Sequence, residues 1–314
     1  MAKTLTRPFP SDFLTVDALS PAQLDAVLKT AAKGKKDRRF GAKALGGKSI
    51  VMLFEKPSLR TRVSFEVGIN RLGGHALFYD HSKERIGERE SVPDYGHNLE
   101  RFCDGIVARV YSQEALEELA ANCSVPVVNA LSDAHHPCQA LADVLTITEH
   151  LGSVDGKIVA YVGDGNNVAL SLAQAVVMLG GHMVVVGPKG YGLSKEDEGA
   201  LHRLAADSGD GSFTASTSLD AVHGVDVIYT DTWVSMHHDK KEAAARRKVF
   251  DPYQVNGKLM ARAGGAIFMH CLPAYRGIEV TADVVDGPAS VVFDQAENRL
   301  HAQNALLLHL MSKA

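Results

Sequence analysis

Uninterrupted apolar runs of strand length recur along this chain, and most end in a polar turn that opens a helix. A sheet with one wet face alternates apolar and polar residues, whereas continuous runs of this kind suit strands buried on both faces of a parallel sheet. They fall at residues 49–54, 75–79, 104–110, 125–129, 157–162, 182–186, 225–230 and 266–270. Helical spacing fills several intervals: Leu24, Val27, Leu28 and Ala31 after the capped start Ser20-Pro21; Phe65, Ile69 and Leu72; Leu141, Val144, Leu145, Thr148 and Leu151. The pattern predicts an α/β fold. At 314 residues the chain is too long for a typical single core. The Gly/Ser/Asp stretch 152–156 marks the change of unit, giving domains 1–150 and 151–298. A last strand is expected at Val291-Val292-Phe293, and a long helix from Gln295 to Met311.

The turn after the first run holds the densest chemistry: Phe54-Glu55-Lys56-Pro57-Ser58-Leu59-Arg60-Thr61-Arg62. Pro57 disfavours helix at Lys56 and leaves Ser58 as the N-cap. The amides of Leu59, Arg60 and Thr61 then lie at the positive end of a helix dipole, where a phosphate is favoured, and Arg60 adds a fork of donors. A capped helix with solvated arginines accounts for the segment equally well.

Other polar groups sit at the ends of other runs. Arg109 is a charge closing an apolar strand, so it is either salt-bridged or reaching for a ligand. His136 and Gln139 flank Pro137 at a strand-to-helix turn, where imidazole and amide can converge or simply pack. Gly163-Asp164-Gly165-Asn166-Asn167-Val168 invites a dinucleotide reading, but Val168 replaces the third Gly and no acidic residue ends the next strand. A Rossmann-like topology without the nucleotide is expected, and Asn167 at the helix start can instead hydrogen-bond a small polar ligand. Asp231 ends a further strand as a helix cap or a ligand group. The charged stretch 237–248 is expected to be a mobile surface loop, its paired histidines lacking a complete metal-ligand set. Cys271, held by Pro273 at a strand end, can present its thiol to a cleft. All these groups occupy the edge of an open α/β sheet where ligands bind.

Composition narrows the partners. With 46% hydrophobic and 22% charged residues and a net charge of -4, nothing pulls the whole chain toward nucleic acid or an anionic membrane. No run approaches the ~18 uninterrupted apolar residues of a membrane span, and the N-terminus lacks a signal-peptide core, so a cytoplasmic location is expected. Cys103, Cys123, Cys138 and Cys271 form no C-x-x-C pair, which predicts neither a zinc site nor a disulfide framework. The first three are expected to be buried as small apolar side chains.

The segments 54–62, His136-Pro137-Cys138-Gln139, Asp231-Thr232-Trp233-Val234-Ser235-Met236 and His270-Cys271-Leu272-Pro273, in this order and spacing, resemble the ornithine carbamoyltransferases of the aspartate/ornithine carbamoyltransferase superfamily. The resemblance implies two doubly wound parallel-sheet domains, the first for carbamoyl phosphate and the second for the amino acid, with residues 299–314 returning to the first. It implies no metal or organic cofactor, a homotrimer or a multiple of it, and conversion of carbamoyl phosphate and L-ornithine to L-citrulline and phosphate. By the same resemblance Ser58, Leu59, Arg60 and Thr61 hold the phosphate, and Arg109, His136 and Gln139 hold the carbamoyl group. Asn167, Asp231, Ser235 and Met236 hold ornithine, and Cys271, Leu272 and Arg299 line the reaction centre; Arg109, His136, Asp231 and Cys271 carry the catalysis. Leu59, Arg85, His237 and Tyr275 depart from the common pattern, which bears on loop closure and interface detail more than on the reaction class; His237 motivates a rival acceptor such as putrescine or a modified ornithine, and a non-catalytic phosphate-binding relative is the rival from another class.

Overall fold

The computed structural model describes residues 8–234 and 240–311. Ser235, Met236, His237 and His238 lie outside the described residues. Cα packing divides the chain into two compact units, residues 1–141 with 299–314 and residues 142–298.

The first unit begins with α1 (Pro21–Lys36), β1 (Ser49–Phe54), α2 (Leu59–Arg71) and β2 (His75–Asp80). It continues through α3 (Val92–Leu99), β3 (Gly105–Arg109), α4 (Gln113–Ala121) and β4 (Val127–Leu131) to α5 (Pro137–Leu151). Its four strands are all parallel, in the order β2-β1-β3-β4. Val51, Leu53, Ile106, Ala108, Leu116, Leu119 and Val127 form a core on one side of this sheet, and the alternate residues Ile50, Met52, Phe54 and Val107 are buried as well, so β1 and β3 read as unbroken apolar runs; β2, at the sheet edge, is largely exposed instead of buried on both faces as its run suggested. The α1 start is a complete capping box, Ser20 and Gln23 each accepting the other's backbone N–H.

The second unit takes β5 (Ile158–Val162), α6 (Asn167–Met178), β6 (His182–Val186), α7 (Lys195–Ser208), β7 (Ser212–Ser216) and β8 (Val227–Thr230). After α8 (Lys240–Phe250) and α9 (Gly257–Ala263) come β9 (Ile267–His270), α10 (Ala282–Val285) and α11 (Val292–Met311). Its five parallel strands run β7-β6-β5-β8-β9. From Arg299 onward α11 belongs to the first unit, where His309 Nε2 meets Thr30 Oγ1 at 2.9 Å and the Met311 carbonyl accepts from Lys48 Nζ at 2.7 Å.

Three expectations need correction. Residues 240–250 are helix α8 rather than a charged loop: Glu242, three alanines and two arginines are strong helix formers even though no apolar stripe betrays them. Residues 291–293 are not a strand, since α11 starts at Val292; the chain touches β9 only in passing, Val291 N–H donating to the Phe268 carbonyl. The fourth strand lies at Val127–Leu131, later than the apolar run suggested.

Candidate active site

In an open parallel sheet a crevice forms at the carboxyl ends of two neighbouring strands whose connections leave in opposite directions. That switch point lies between β1 and β3 in the first unit and between β5 and β8 in the second. The polar groups read from the sequence gather at these two places.

At the first, Ser58 is the N-cap of α2, its Oγ accepting the Thr61 N–H at 3.3 Å and bonding Thr61 Oγ1 at 3.0 Å. The Thr61 amide is therefore capped rather than turned outward as the sequence suggested, which leaves Leu59 and Arg60 as the first-turn amides at the positive end of the helix. The Leu59 side chain is 76% exposed, so at this turn the residue offers its main chain. Arg60 is half-buried, whereas the exposed Arg62 bonds Glu66 at 3.2 Å and stacks on the Phe78 ring. The buried Arg299 of α11 donates to Gln139 Oε1 at 2.6 Å and to Thr61 Oγ1 at 3.2 Å, so one guanidinium joins the starts of α2 and α5.

Arg109 ends β3 half-buried, and its carbonyl accepts the Glu55 N–H at 2.9 Å. His136, buried at the mouth of α5, has its pKa pushed well below the usual 6.5 by burial and then by the positive charges of Arg299, Arg109 and Lys56. The ring is thus held neutral, able to donate from one nitrogen and accept at the other. Reading the sequence missed Glu55 and Lys56. The buried Glu55 carboxylate accepts from Ile86 N–H at 2.8 Å and Tyr111 N–H at 2.7 Å, pinning a loop whose other residues are mostly exposed. Lys56 Nζ lies 4.3 Å from the Tyr111 ring centre, with the Arg85 guanidinium at 4.5 Å. Burial, and then Arg109, lower the Lys56 pKa.

At the second switch point Asp231 and Cys271 follow β8 and β9. Cys271 Sγ donates to Asp231 Oδ1 at 3.0 Å, and the same oxygen accepts the Thr232 N–H at 2.7 Å. Asn167 is the first residue of α6 and half-buried, while its neighbour Asn166 is the cap and bonds Asp231 Oδ2 at 3.0 Å. The preceding Gly165 serves close backbone approach: a Cβ there would stand 2.3 Å from the Gly192 carbonyl carbon. Leu272 adopts a left-handed backbone, φ 56, unusual for a branched side chain and placed directly after the thiol. Beneath the pair, Tyr161 and Tyr229 stack 5.5 Å apart, both buried, and burial holds both phenols protonated well above their usual range. Arg246 of α8 bonds the Asp164 carboxylate and donates from Nε to the Trp233 carbonyl at 2.7 Å. Tyr275 is exposed, and its backbone N–H is bonded to Glu279.

Among the described residues Asp231, His270 and Cys271 bring a carboxylate, an imidazole and a thiol within 4.8 Å of one another. The His270 ring is already committed, Nδ1 accepting the Leu272 N–H at 2.8 Å and Nε2 facing Glu279 at 3.3 Å. Of the remaining thiols, burial pushes Cys103 up, Cys123 to about 11 and Cys138 to about 12, in keeping with packing rather than reactivity; Cys123 is only half-buried.

Comparison with known proteins covers nearly the whole chain. The model of the aspartate/ornithine carbamoyltransferase carbamoyl-P binding domain matches residues 11–149, and that of the Asp/Orn binding domain matches residues 155–310. The ornithine carbamoyltransferase of Shewanella oneidensis is 49% identical over 96% of this chain and 99% of its own length. That of Methanobrevibacter smithii is likewise 49% identical, at the same two coverages. The solved structure of the ornithine carbamoyltransferase from Pyrococcus furiosus superposes with a TM-score of 0.92 at 46% identity, over 96% of this chain and 97% of that one.

Proposed function

The chain belongs to the aspartate/ornithine carbamoyltransferase family, and from that premise we propose that it is an enzyme transferring the carbamoyl group of carbamoyl phosphate to the side-chain amine of L-ornithine. The observation that carries the reading is the pairing of Cys271 with Asp231, a proton-handling couple at one switch point in a chain whose other switch point is a capped, arginine-rich anion cradle. A phosphate-binding relative without catalysis would have no use for that couple.

In this reading Ser58, Leu59, Arg60 and Thr61 hold the phosphate, helped by Arg299. Arg109, His136 and Gln139 hold the carbamoyl group, and Asn167, Asp231, Ser235 and Met236 hold ornithine, with Leu272 beside Cys271. Residues 1–150 and 299–314 form the carbamoyl phosphate domain and residues 151–298 the ornithine domain; the family models 11–149 and 155–310 support a boundary near residue 150. Ornithine's amine must lose a proton before it attacks, and Asp231 with Cys271 orients it and takes that proton. The new N–C bond forms as the carbamoyl carbonyl becomes an oxyanion, which Thr61, Arg109 and the neutral His136 stabilise as preorganised donors. The C–O bond to phosphate then breaks, phosphate leaves with both bonding electrons into the cradle, and the second proton of the attacking nitrogen passes to the leaving phosphate oxygen, so that citrulline and hydrogen phosphate result. Orientation of two bound substrates supplies much of the acceleration without a covalent enzyme intermediate.

A cytoplasmic enzyme of amino-acid biosynthesis, making citrulline toward arginine and working as a homotrimer, completes the proposal. No described helix is long and apolar enough to cross a membrane. Association of chains through α2 is supported by Leu59, Val63 and Val67, which line one face of the helix at 76%, 49% and 38% exposure, and the number three is taken from the family resemblance. The decisive assay measures citrulline and phosphate release with ornithine beside putrescine and N-acetylated ornithine. Turnover of another amine without citrulline would replace the acceptor, and carbamoyl phosphate binding without turnover of any amine would end the enzyme reading.

A further inference from the structure

We infer that Asn166 is a positioning residue for Asp231, and so for the acceptor amine. The inference deepens the reading above and rests on it for the identity of that amine. Asn166 has two duties that fix each other. Its Oδ1 accepts three hydrogen bonds, from the Val168 N–H at 3.0 Å, the Ala169 N–H at 3.1 Å and the buried Tyr161 hydroxyl at 3.2 Å. Two of these donors are orphan amides of the first turn of α6, so the oxygen end of the carboxamide cannot be exchanged for the nitrogen end without leaving them unbonded. Nδ2 is thereby forced outward as a donor, and it meets Asp231 Oδ2 at 3.0 Å.

Asp231 is consequently held from both of its oxygens. Oδ1 takes the Thr232 N–H and the Cys271 thiol, and Oδ2 takes Asn166. With only Oδ1 held, the carboxylate could turn about its χ2 bond, which has a broad torsional well. The Asn166 bond stops that rotation and aims the remaining lone pairs. Because Asn166 is itself seated on a helix start and on the rigid phenol of Tyr161, the acid is referenced to β5 and α6 as well as to its own strand. The adjacent Asn167 is the residue that faces ligand in the proposed function; Asn166 acts one step behind it.

Substitutions that keep the cap but change the donor separate this role from a structural one. Ser and Asp cap helices about as well as Asn, so Asn166→Ser and Asn166→Asp should both leave α6 intact. Ser removes the donor to Asp231, and Asp replaces it with a like charge. We expect kcat/KM for ornithine to fall by about ten- to a hundredfold in Asn166→Ser, the range for a hydrogen bond to a charged group, and further in Asn166→Asp. The carbamoyl phosphate KM should stay within about twofold of the starting protein, by additivity of separate sites. Equal, small losses in the two variants would reduce Asn166 to a cap and overturn the inference, as would parallel losses for both substrates.

A substrate-free measurement keeps this test apart from the assignment of ornithine. In thermal unfolding of the full chain, the Tm losses of Asn166→Ser and Asp231→Ala should sum to more than the loss in the double variant, because both singles break one bond. Additive losses would refute the pairing whatever the acceptor proves to be. Coupled losses in a chain that makes no citrulline would sustain the Asn166–Asp231 pairing while rejecting the ornithine reading.

Discussion

The neutrality of His136 follows from its surroundings rather than from the imidazole itself. Burial and three nearby cations all oppose a proton on the ring. Above about pH 6.5 the folded and unfolded chains both carry this histidine neutral. As pH falls below that value the unfolded chain takes up a proton and the folded chain does not, so stability declines with acid. His309, lowered chiefly by burial, adds to the same slope. Calorimetric scans should show Tm falling between pH 7 and 5.5, and a shallower fall in His136→Asn; parallel slopes would contradict the assignment. Arg60 offers a second test at this scale. It is half-buried in the first turn of α2, so Arg60→Ala should alter stability by no more than about 0.5 kcal/mol. Carbamoyl phosphate binding should weaken by at least about a hundredfold, since a guanidinium's paired bonds to phosphate are lost. Unchanged binding in titration calorimetry would remove the cradle from this position.

At the scale of elements, the two functional helices begin with caps, and the same chemistry has different consequences in different places. Ser20 closes a capping box on α1, away from the proposed chemistry, whereas Ser58 caps α2 at the turn proposed to hold phosphate. Ser20→Ala should destabilise by about 1 kcal/mol with citrulline kinetics unchanged, and Ser58→Ala by a similar amount with a raised carbamoyl phosphate KM. Equal kinetic effects would show that capping, not placement, matters. The start of α2 was legible because a buried strand ends at Phe54 and Pro57-Ser58 admits one helix start. Helix α8 was not, because periodicity is the wrong instrument for a helix that is charged nearly all round; intrinsic propensity in Glu242–Arg247 carried the signal. Val291–Phe293 misled in the opposite sense, since three apolar residues suit a buried strand and a helix start alike. Single residues such as Glu55 and Asn166 escaped notice because their function depends on partners distant in sequence, Ile86 and Tyr111 for one and Asp231 for the other.

Across the whole molecule one plan serves twice: a parallel sheet whose strand order reverses, a polar turn at the reversal, and a helix start that fixes the turn. In the proposed function the plan gives a chain without net positive charge a local anion site, whose donors are first-turn backbone amides together with Arg60 and Arg299. It leaves the apolar face of α2 unexplained within a single chain. Leu59, Val63 and Val67 recur every four residues on the helix that carries the cradle, and exposing such a stripe disfavours a solitary chain in water. In the proposed trimer that face packs against a second copy, and light scattering should give three times the chain mass of 33.7 kDa. Val67→Asp, two turns from Ser58, should then weaken association by burying a charge in an apolar contact, shifting the mass toward that of one chain at micromolar concentration. A single-chain mass for the unmodified protein, or an unshifted trimer in the variant, would exclude this face as the contact. Carbamoyl phosphate titration of the dissociated variant carries the argument one step further: retained affinity would place every cradle group within one chain, and lost affinity would require the neighbour to complete it.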